Sequence, residues 1–96
     1  MTLTNAQIRQ HKAKAQLLKP ILKVGKAGLS AEFLASVEAA FASRELIKIK
    51  FADFKEEKKQ LAPLLAEKTS SHLITLLGNV VVLFRPKPAA TDGGTP

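Results

Sequence analysis

Residues 21–30 read Ile-Leu-Lys-Val-Gly-Lys-Ala-Gly-Leu-Ser, and they combine the signals for a strand, a turn and a helix. The short apolar run at 21–24 predicts a strand that ends at a Gly-x-x-Gly turn. Ser30 is a good N-cap and predicts a helix that begins at Ala31. The two glycines allow the main chain to adopt positive φ and to approach a ligand closely. A strand, a tight turn and a helix in this order predict the first part of a strand–helix–strand unit.

A basic helix precedes this stretch. Thr4 can cap it, it runs to about Leu18, and Pro20 prevents its continuation. Arg9 and Lys12 lie away from its inner stripe. That stripe has three- and four-residue spacing and consists of Ile8, His11, Ala15 and Leu18.

The stretch 45–51 alternates between apolar and charged residues, Glu-Leu-Ile-Lys-Ile-Lys-Phe. Successive side chains point to opposite faces of a strand, so this pattern predicts a half-buried strand. Its two faces are Ile47, Ile49 and Phe51 on one side and Lys48 and Lys50 on the other.

The helix before this strand runs to about Ser43. Its inner face consists of Phe33, Leu34, Val37, Ala40 and Phe41.

A third helix is predicted between this strand and the end of the chain. Asp53 followed by Glu56 resembles a capping box. Pro63 falls inside the pattern and should kink or divide the helix. The side chains expected to point inward are Leu61, Leu64 and Leu65.

Two apolar runs, 72–77 and 80–85, flank Gly78-Asn79, a two-residue loop of the kind that closes a tight hairpin. Because the runs are nearly continuously apolar, we expect the hairpin to be central in the sheet. The order helix–strand–helix–strand–helix–strand–strand predicts a compact single-domain α/β sandwich, in which helices pack against a four-stranded mixed sheet. Residues 1–87 are expected to form this domain, and 88–96 a disordered tail.

The composition limits the classes of protein to which the chain can belong. The chain has 96 residues, of which 46% are hydrophobic, and this suits one globular domain. The apolar runs are too short to span a bilayer, so no membrane association is expected. The chain has no cysteine, and therefore neither a disulfide framework nor a thiolate metal site. We expect a cytoplasmic monomer without cofactor or metal.

Nearly all of the net charge of +7 lies in the first third of the chain. Lys26 stands between the two glycines, just before a helix whose N-terminus favours an anion, and this geometry suits a phosphate backbone. Later lysines such as Lys55 and Lys59 are interspersed with glutamates and are typical of a solvated face. The basic residues that precede the first acidic residue, Glu32, are Arg9, Lys12, Lys14, Lys19, Lys23 and Lys26.

Four separated segments together resemble one known family. They are Leu18-x-Pro20, Val24-Gly25-Lys26-x-Gly28-Leu29-Ser30, Glu45-Leu46-Ile47-Lys48-Ile49-Lys50 and Leu77-Gly78-Asn79-x-Val81-x-Leu83-x-Arg85-Pro86. In this order they are similar to the CRM domain, the chloroplast RNA splicing and ribosome maturation module, whose single-domain bacterial members are the YhbY proteins. The resemblance covers roughly residues 3–87 and is more specific than a lone Gly-x-x-Gly.

The resemblance implies an RNA-binding domain whose sheet is similar to that of the C-terminal domain of a bacterial translation initiation factor. Bacterial members are associated with precursors of the large ribosomal subunit, so the implied partner is ribosomal RNA and the implied role is that of an assembly factor. His11 and Pro63 depart from the family pattern and concern local packing. Carried over by position, the residues that contact RNA backbone are Gly25, Lys26, Ala27 and Gly28 in the loop and Arg9 and Lys12 in the first helix.

Several interpretations stay open at this point. Lys48 and Lys50 either line an RNA-facing side of the sheet or protect a sheet edge. A KH-type RNA binder also uses a Gly-x-x-Gly loop, although between two consecutive helices, and a basic protein-interaction module would need no RNA. The chain has no Trp or Tyr, so recognition of backbone and shape is expected rather than base stacking. Two separated histidines make no metal site, and no catalytic group of residues is recognisable.

Overall fold

The computed structural model describes residues 3–86, in which three helices and four strands follow the predicted order. Their bounds are α1 Asn5–Ala15, β1 Leu22–Val24, α2 Ala31–Ser43, β2 Leu46–Phe51, α3 Lys58–Lys68, β3 His72–Leu77 and β4 Val80–Phe84. The predicted tail, 88–96, lies outside the described residues. Among residues 3–86, none of the helices has the length and apolar character needed to cross a membrane.

The strands form one mixed sheet in the order β1-β2-β4-β3. β1 runs parallel to β2, as the strand–helix–strand unit around α2 predicts, and β4 is antiparallel to both of its neighbours. The prediction that the whole hairpin is central was wrong, because β4 is interior whereas β3 forms an edge. The apolar run of β3 misled this prediction, since two of its leucines, Leu73 and Leu77, are exposed.

The alternation along β2 separates two apolar layers. Ile47, Ile49 and Phe51 are buried, as predicted, in the larger cluster beneath α2 and α3. The predicted inner face of α2 is also confirmed, since Val37 and Phe41 are buried there. On the opposite side, α1 covers a smaller cluster that consists of Ala15, Ile74, Val82 and Phe84. The sheet therefore lies between helices on both faces.

The pairing of β3 with β4 is irregular at one position. The register shifts between Leu73 and Thr75, so Ile74 has no partner in the ladder. Ile74 is buried in the smaller cluster beneath α1. An extra residue of this kind increases the local twist of a strand.

Helix α1 begins as predicted but ends earlier. The N–H of Gln7 donates to Oγ1 of Thr4, and the N–H of Thr4 donates to Oε1 of Gln7, which forms a capping box. The helix ends at Ala15 instead of about Leu18. Nζ of Lys48 donates to the carbonyl oxygens of Ala15 and Leu18, at 3.0 and 3.1 Å. A cation at this position satisfies terminal carbonyls and complements the helix dipole. Leu18, which was expected on the inner stripe of the helix, is 39% exposed.

Helix α3 begins later than predicted, and the capping box at Asp53 and Glu56 was wrong. The N–H groups of Ala52 and Asp53 both donate to the carbonyl oxygen of Val24, at 3.1 and 3.0 Å. These bonds hold the segment beside the end of β1, so it cannot begin a helix there. The helix begins instead at Lys58, without a side-chain cap.

The inner face of α3 differs from the prediction at one leucine. Leu64 is 38% exposed, whereas Leu61 is partly buried against the larger cluster. Pro63 lies on the exposed side and does not divide the helix. The buried residues of α3 are Ala62, Leu65 and Ala66. Two of these are small, so the helix can lie close to the sheet.

Arg85, which follows β4, connects three parts of the fold. Its Nη1 group donates to a carboxylate oxygen of Glu38 at 2.9 Å and to the carbonyl oxygen of Thr69 at 2.8 Å. The guanidinium also lies over the ring of Phe41, 4.6 Å from its centroid. Glu38 and Phe41 belong to α2, and Thr69 follows α3. Arg85 therefore joins the last strand to both helices on that face.

Replacing Arg85 with Met should lower the free energy of unfolding by about 1 to 2 kcal/mol, because a charged hydrogen bond to a carbonyl and a cation–π contact are lost. Urea unfolding measures this change. Glu38→Gln is the matched control and should cost less than about 1 kcal/mol, because Glu38 is exposed to solvent and its ion pair is screened. Equal losses in the two variants would contradict the importance of the Thr69 and Phe41 contacts.

His11 lies in the cluster beneath α1, where an apolar residue was expected. Its ring stacks on that of Phe84, with 4.0 Å between centroids, and its Nδ1 atom is buried without a hydrogen-bond partner. Burial lowers the pKa of the His11 imidazole, and the charge of Lys14 lowers it too, while Glu45 acts in the opposite direction and His72 adds a small decrease. The folded protein therefore favours a neutral imidazole at this position.

We expect acid to destabilise the fold through His11. Its pKa is lower in the folded chain than the ordinary 6.5, so the unfolded chain takes up the proton first as the pH falls. The neutral His11 imidazole contributes its full stabilisation above the pKa that it has in the unfolded chain. This stabilisation is lost as the pH falls from that value through the lower pKa of the folded chain. Unfolding curves measured between about pH 8 and pH 5 should show that the free energy of unfolding declines as the pH falls. This decline should be smaller in the His11→Leu variant. An identical decline in the variant would assign the effect to other groups.

Candidate nucleic-acid interface

The Gly-Lys-Ala-Gly loop, 25–28, joins β1 directly to α2. The N–H of Gly28 donates to the carbonyl oxygen of Gly25 at 3.0 Å, which closes a tight turn. Lys26 and Ala27, at the tip of the turn, are exposed. Helix α2 begins three residues after Gly28, and the N–H of Phe33 donates to Oγ of Ser30, as predicted from the N-cap. The loop thus presents a lysine at the N-terminal end of α2.

The two glycines of the loop have different roles. Gly28 has a φ of +66°, the left-handed conformation that favours glycine. Gly25 does not have positive φ, so of the two glycines in the loop only Gly28 uses this freedom. A Cβ atom placed on Gly25 would meet no atom within 4 Å. Gly28 is therefore needed by the turn itself, whereas Gly25 leaves open space beside it.

Phe54 supports the loop from the segment before α3. A Cβ on Gly28 would lie 3.4 Å from Cε2 of Phe54, so the ring is packed against this glycine. Phe54 itself has a φ of +59° and is 39% exposed. Bulky residues rarely adopt this conformation, which persists only where surrounding structure holds it. Here the hydrogen bonds to the Val24 carbonyl fix the preceding residues. The sequence carried no signal for this contact.

The basic residues of the first helix are exposed. Arg9, Lys12 and Lys14 lie on the outer part of α1, and Lys19 follows it. Lys12 and Lys14 belong to the last turn of the helix, where a cation also complements the dipole. The structure therefore leaves these four side chains accessible to solvent.

Three lysines of the sheet lie on the side that α1 covers. Lys23 and Lys50 are direct partners in the pairing of β1 with β2. Lys48 lies two residues before Lys50, on the same face, and its Nζ contacts the end of α1. Because β2 is an interior strand, the edge-protection interpretation of Lys48 and Lys50 was wrong. Lys48 has a structural bond of its own, whereas Lys23 and Lys50 are exposed.

The predicted site residues thus come from three separate segments. The sheet brings Lys23, Lys48 and Lys50 to the face shared with α1, and the loop continues from the end of β1. No group of three or more possible metal-ligating residues occurs within 3–86. The arrangement offers positive charge and main-chain N–H groups, which are suited to binding an anionic polymer.

Known proteins resemble this chain over most of its length. The profile of the CRS1 / YhbY (CRM) domain family matches residues 3–85. A Bacillus subtilis protein named Probable RNA-binding protein YqeI is 34% identical over 84 residues, which cover 86% of this chain and 88% of the relative. A Haemophilus influenzae protein named RNA-binding protein is 34% identical over 90 residues, which cover 93% of this chain and 91% of the relative.

A solved structure has the same fold. The solution structure of a hypothetical protein from Staphylococcus aureus, described there as a candidate RNA-binding protein, matches with a TM-score of 0.76 and 32% sequence identity. The match covers 90% of this chain and 91% of that chain. Together these comparisons confirm the family resemblance and the fold class predicted from the sequence.

Gly28→Ala should destabilise the protein by about 1 to 2 kcal/mol, because a side chain is strained at this positive φ. Gly25→Ala is the matched control in the same turn. It should change the free energy of unfolding by no more than about 0.5 kcal/mol, because its Cβ enters open space. Urea unfolding of both variants tests this difference, and equal stability would contradict the assigned roles of the two glycines.

Proposed function

Because the chain belongs to the CRS1 / YhbY (CRM) domain family, we propose that it is an RNA-binding protein that contacts the RNA backbone through its Gly-Lys-Ala-Gly loop and basic first helix. The observation that carries this proposal is the exposed Lys26 at the tip of a tight turn before α2. Phosphate oxygens suit such a turn, because a helix N-terminus and a lysine both favour negative charge. Both named relatives are called RNA-binding proteins, which supports the assignment.

The contact surface extends from this loop across one side of the sheet to α1. Lys23 and Lys50 lie between the loop and the helix, and Lys12 and Arg9 lie along the helix. Lys14, Lys19 and Lys48 complete the surface, although Lys48 also caps α1. A surface built mainly from lysines binds phosphates as point charges and positions an RNA without reading its sequence.

We assign this RNA to precursors of the large ribosomal subunit, with the protein acting as an assembly factor in the cytoplasm. The support is the family membership, since single-domain bacterial members carry that association. The protein acts as a monomer and by binding rather than by catalysis.

Two other functions fit less well. A KH-type domain places its Gly-x-x-Gly loop between two helices, whereas strand β1 precedes the loop here. A protein-interaction module with no RNA ligand would explain the positive charge but not the glycine turn. Nuclease treatment of a pull-down distinguishes RNA binding from such a protein-interaction module, because RNA-mediated associations disappear and protein-mediated ones persist.

RNA affinity should decrease with salt at a log–log slope of roughly −4 to −5 if about six phosphates are neutralised. Lys26→Ala should reduce the magnitude of this slope by about 1, because one phosphate contact is lost. Lys59→Ala, on α3, is the matched control with the same change in net charge. Titrations of a structured ribosomal RNA fragment at several salt concentrations measure these slopes. A slope near zero, or equal effects of the two variants, would contradict the proposed surface.

Crosslinking in cells tests the ribosomal assignment. Sequenced RNA crosslinked to the wild type should be enriched in one region of large-subunit RNA, in the precursor fractions of a ribosome gradient. The Lys12→Ala, Lys26→Ala double variant should lose this enrichment, because two parts of the basic surface are removed. Crosslinks scattered over all cellular RNA would refute the assembly role while leaving RNA binding in place.

A further inference from the structure

An open cavity of about 380 Å³ lies on the α1 side of the sheet, between the end of α1 and the β3–β4 hairpin. Its floor is formed by the apolar side chains Leu77, Val80 and Val82. The polar residues that line the cavity are Lys12, Gln16, Lys48 and Thr75. An apolar floor with a few convergent polar groups is the usual form of a small-ligand site.

The cavity lies where α1 ends, since Ala15 and Gln16 are among its lining residues. Lys48 holds the carbonyl end of the helix at Ala15, and the hairpin continues beyond this point. As a result Leu77, at the end of β3, is 78% exposed. Leu77 therefore offers an accessible apolar side chain to a ligand in the cavity.

The cavity is continuous with the surface proposed to bind phosphates. Lys50 is the direct cross-strand partner of Val80, whose side chain forms part of the floor. Lys12 and Lys48 lie at the cavity itself. A ligand in this cavity therefore meets apolar contacts below and positive charge at its margin.

We propose that the cavity takes one unpaired nucleobase of the bound RNA, an inference that rests on the proposed RNA-binding function. A nucleobase has flat apolar faces for the valine and leucine floor and hydrogen-bonding edges for Gln16 and Thr75. Its own phosphates lie within reach of the marginal lysines, which gives charge complementarity. A second copy of the chain fits poorly, because a symmetric contact would bring the same lysines together. The domain thus contacts a base through aliphatic side chains, without the aromatic platform of other RNA-binding sheets.

Two exposed leucines provide a matched test. Leu77 lies in the cavity floor, whereas Leu17, which is 87% exposed, is not among its lining residues. Leu77→Ala should weaken binding of the ribosomal RNA fragment by about fivefold or more, because apolar contact with the base is lost. Its salt slope should equal that of the wild type, because no charge is removed. Leu17→Ala should bind like the wild type. Equal affinities of the two leucine variants would overturn the proposal.

A second measurement identifies the part of the ligand that enters the cavity. The four nucleoside monophosphates are titrated into the full chain with labelled methyl groups, and ribose 5-phosphate, which lacks a base, serves as the control. The methyl signals of Leu77, Val80 and Val82 should shift with the nucleotides and not with ribose 5-phosphate. Equal shifts with both, or none with either, would overturn the base pocket. Two further results would also overturn it. Methyl shifts that depend on protein concentration alone would indicate that a second copy of the chain occupies the cavity. Specific capture of a protein on this face after nuclease treatment would indicate a protein partner.

Failure of the base pocket and failure of the proposed RNA-binding function give different results. If the leucine variants behave alike but Lys26→Ala still reduces the salt slope, the backbone surface stands and only the base pocket fails. If neither RNA nor nucleotides bind, the proposed function itself fails.

Discussion

The period-two alternation of β2 organises both sides of the sheet. Paired on both edges, β2 directs Ile47, Ile49 and Phe51 into the larger cluster and Lys48 and Lys50 to the opposite side. A shift of one residue would bury the two lysines and expose the three apolar side chains. The hydrophobic requirement of one face therefore also fixes the position of the positive charge on the other.

Elements whose signals are local could be predicted from the sequence. The N-caps Thr4 and Ser30, the inner face of α2 and the alternation of β2 each depend on residues within one or two turns, and the structure has them as expected. Contacts between distant segments could not be predicted in this way. The end of α1 depends on Lys48, about thirty residues away, and the start of α3 depends on hydrogen bonds to the end of β1.

The candidate site shows the same division. Its residue types and the glycine loop were visible in the sequence, because charge and turn residues are read directly from it. The packing of Phe54 against Gly28 was not, since no local pattern indicates that an aromatic residue adopts a positive φ. The cavity was hidden for a different reason: it depends on the place where one helix stops over two strands, and no single segment encodes that relation.

The interrupted pairing at Ile74 has a consequence for the behaviour of the protein in solution. β3 is an open edge, and a regular edge of six residues offers its unpaired main-chain groups to any other extended chain. The register shift twists this edge in its middle, so a second strand cannot pair along its full length. The other edge, β1, has three residues and offers little to pair with. The residue that completes the packing beneath α1 thus also protects the sheet from edge-to-edge aggregation.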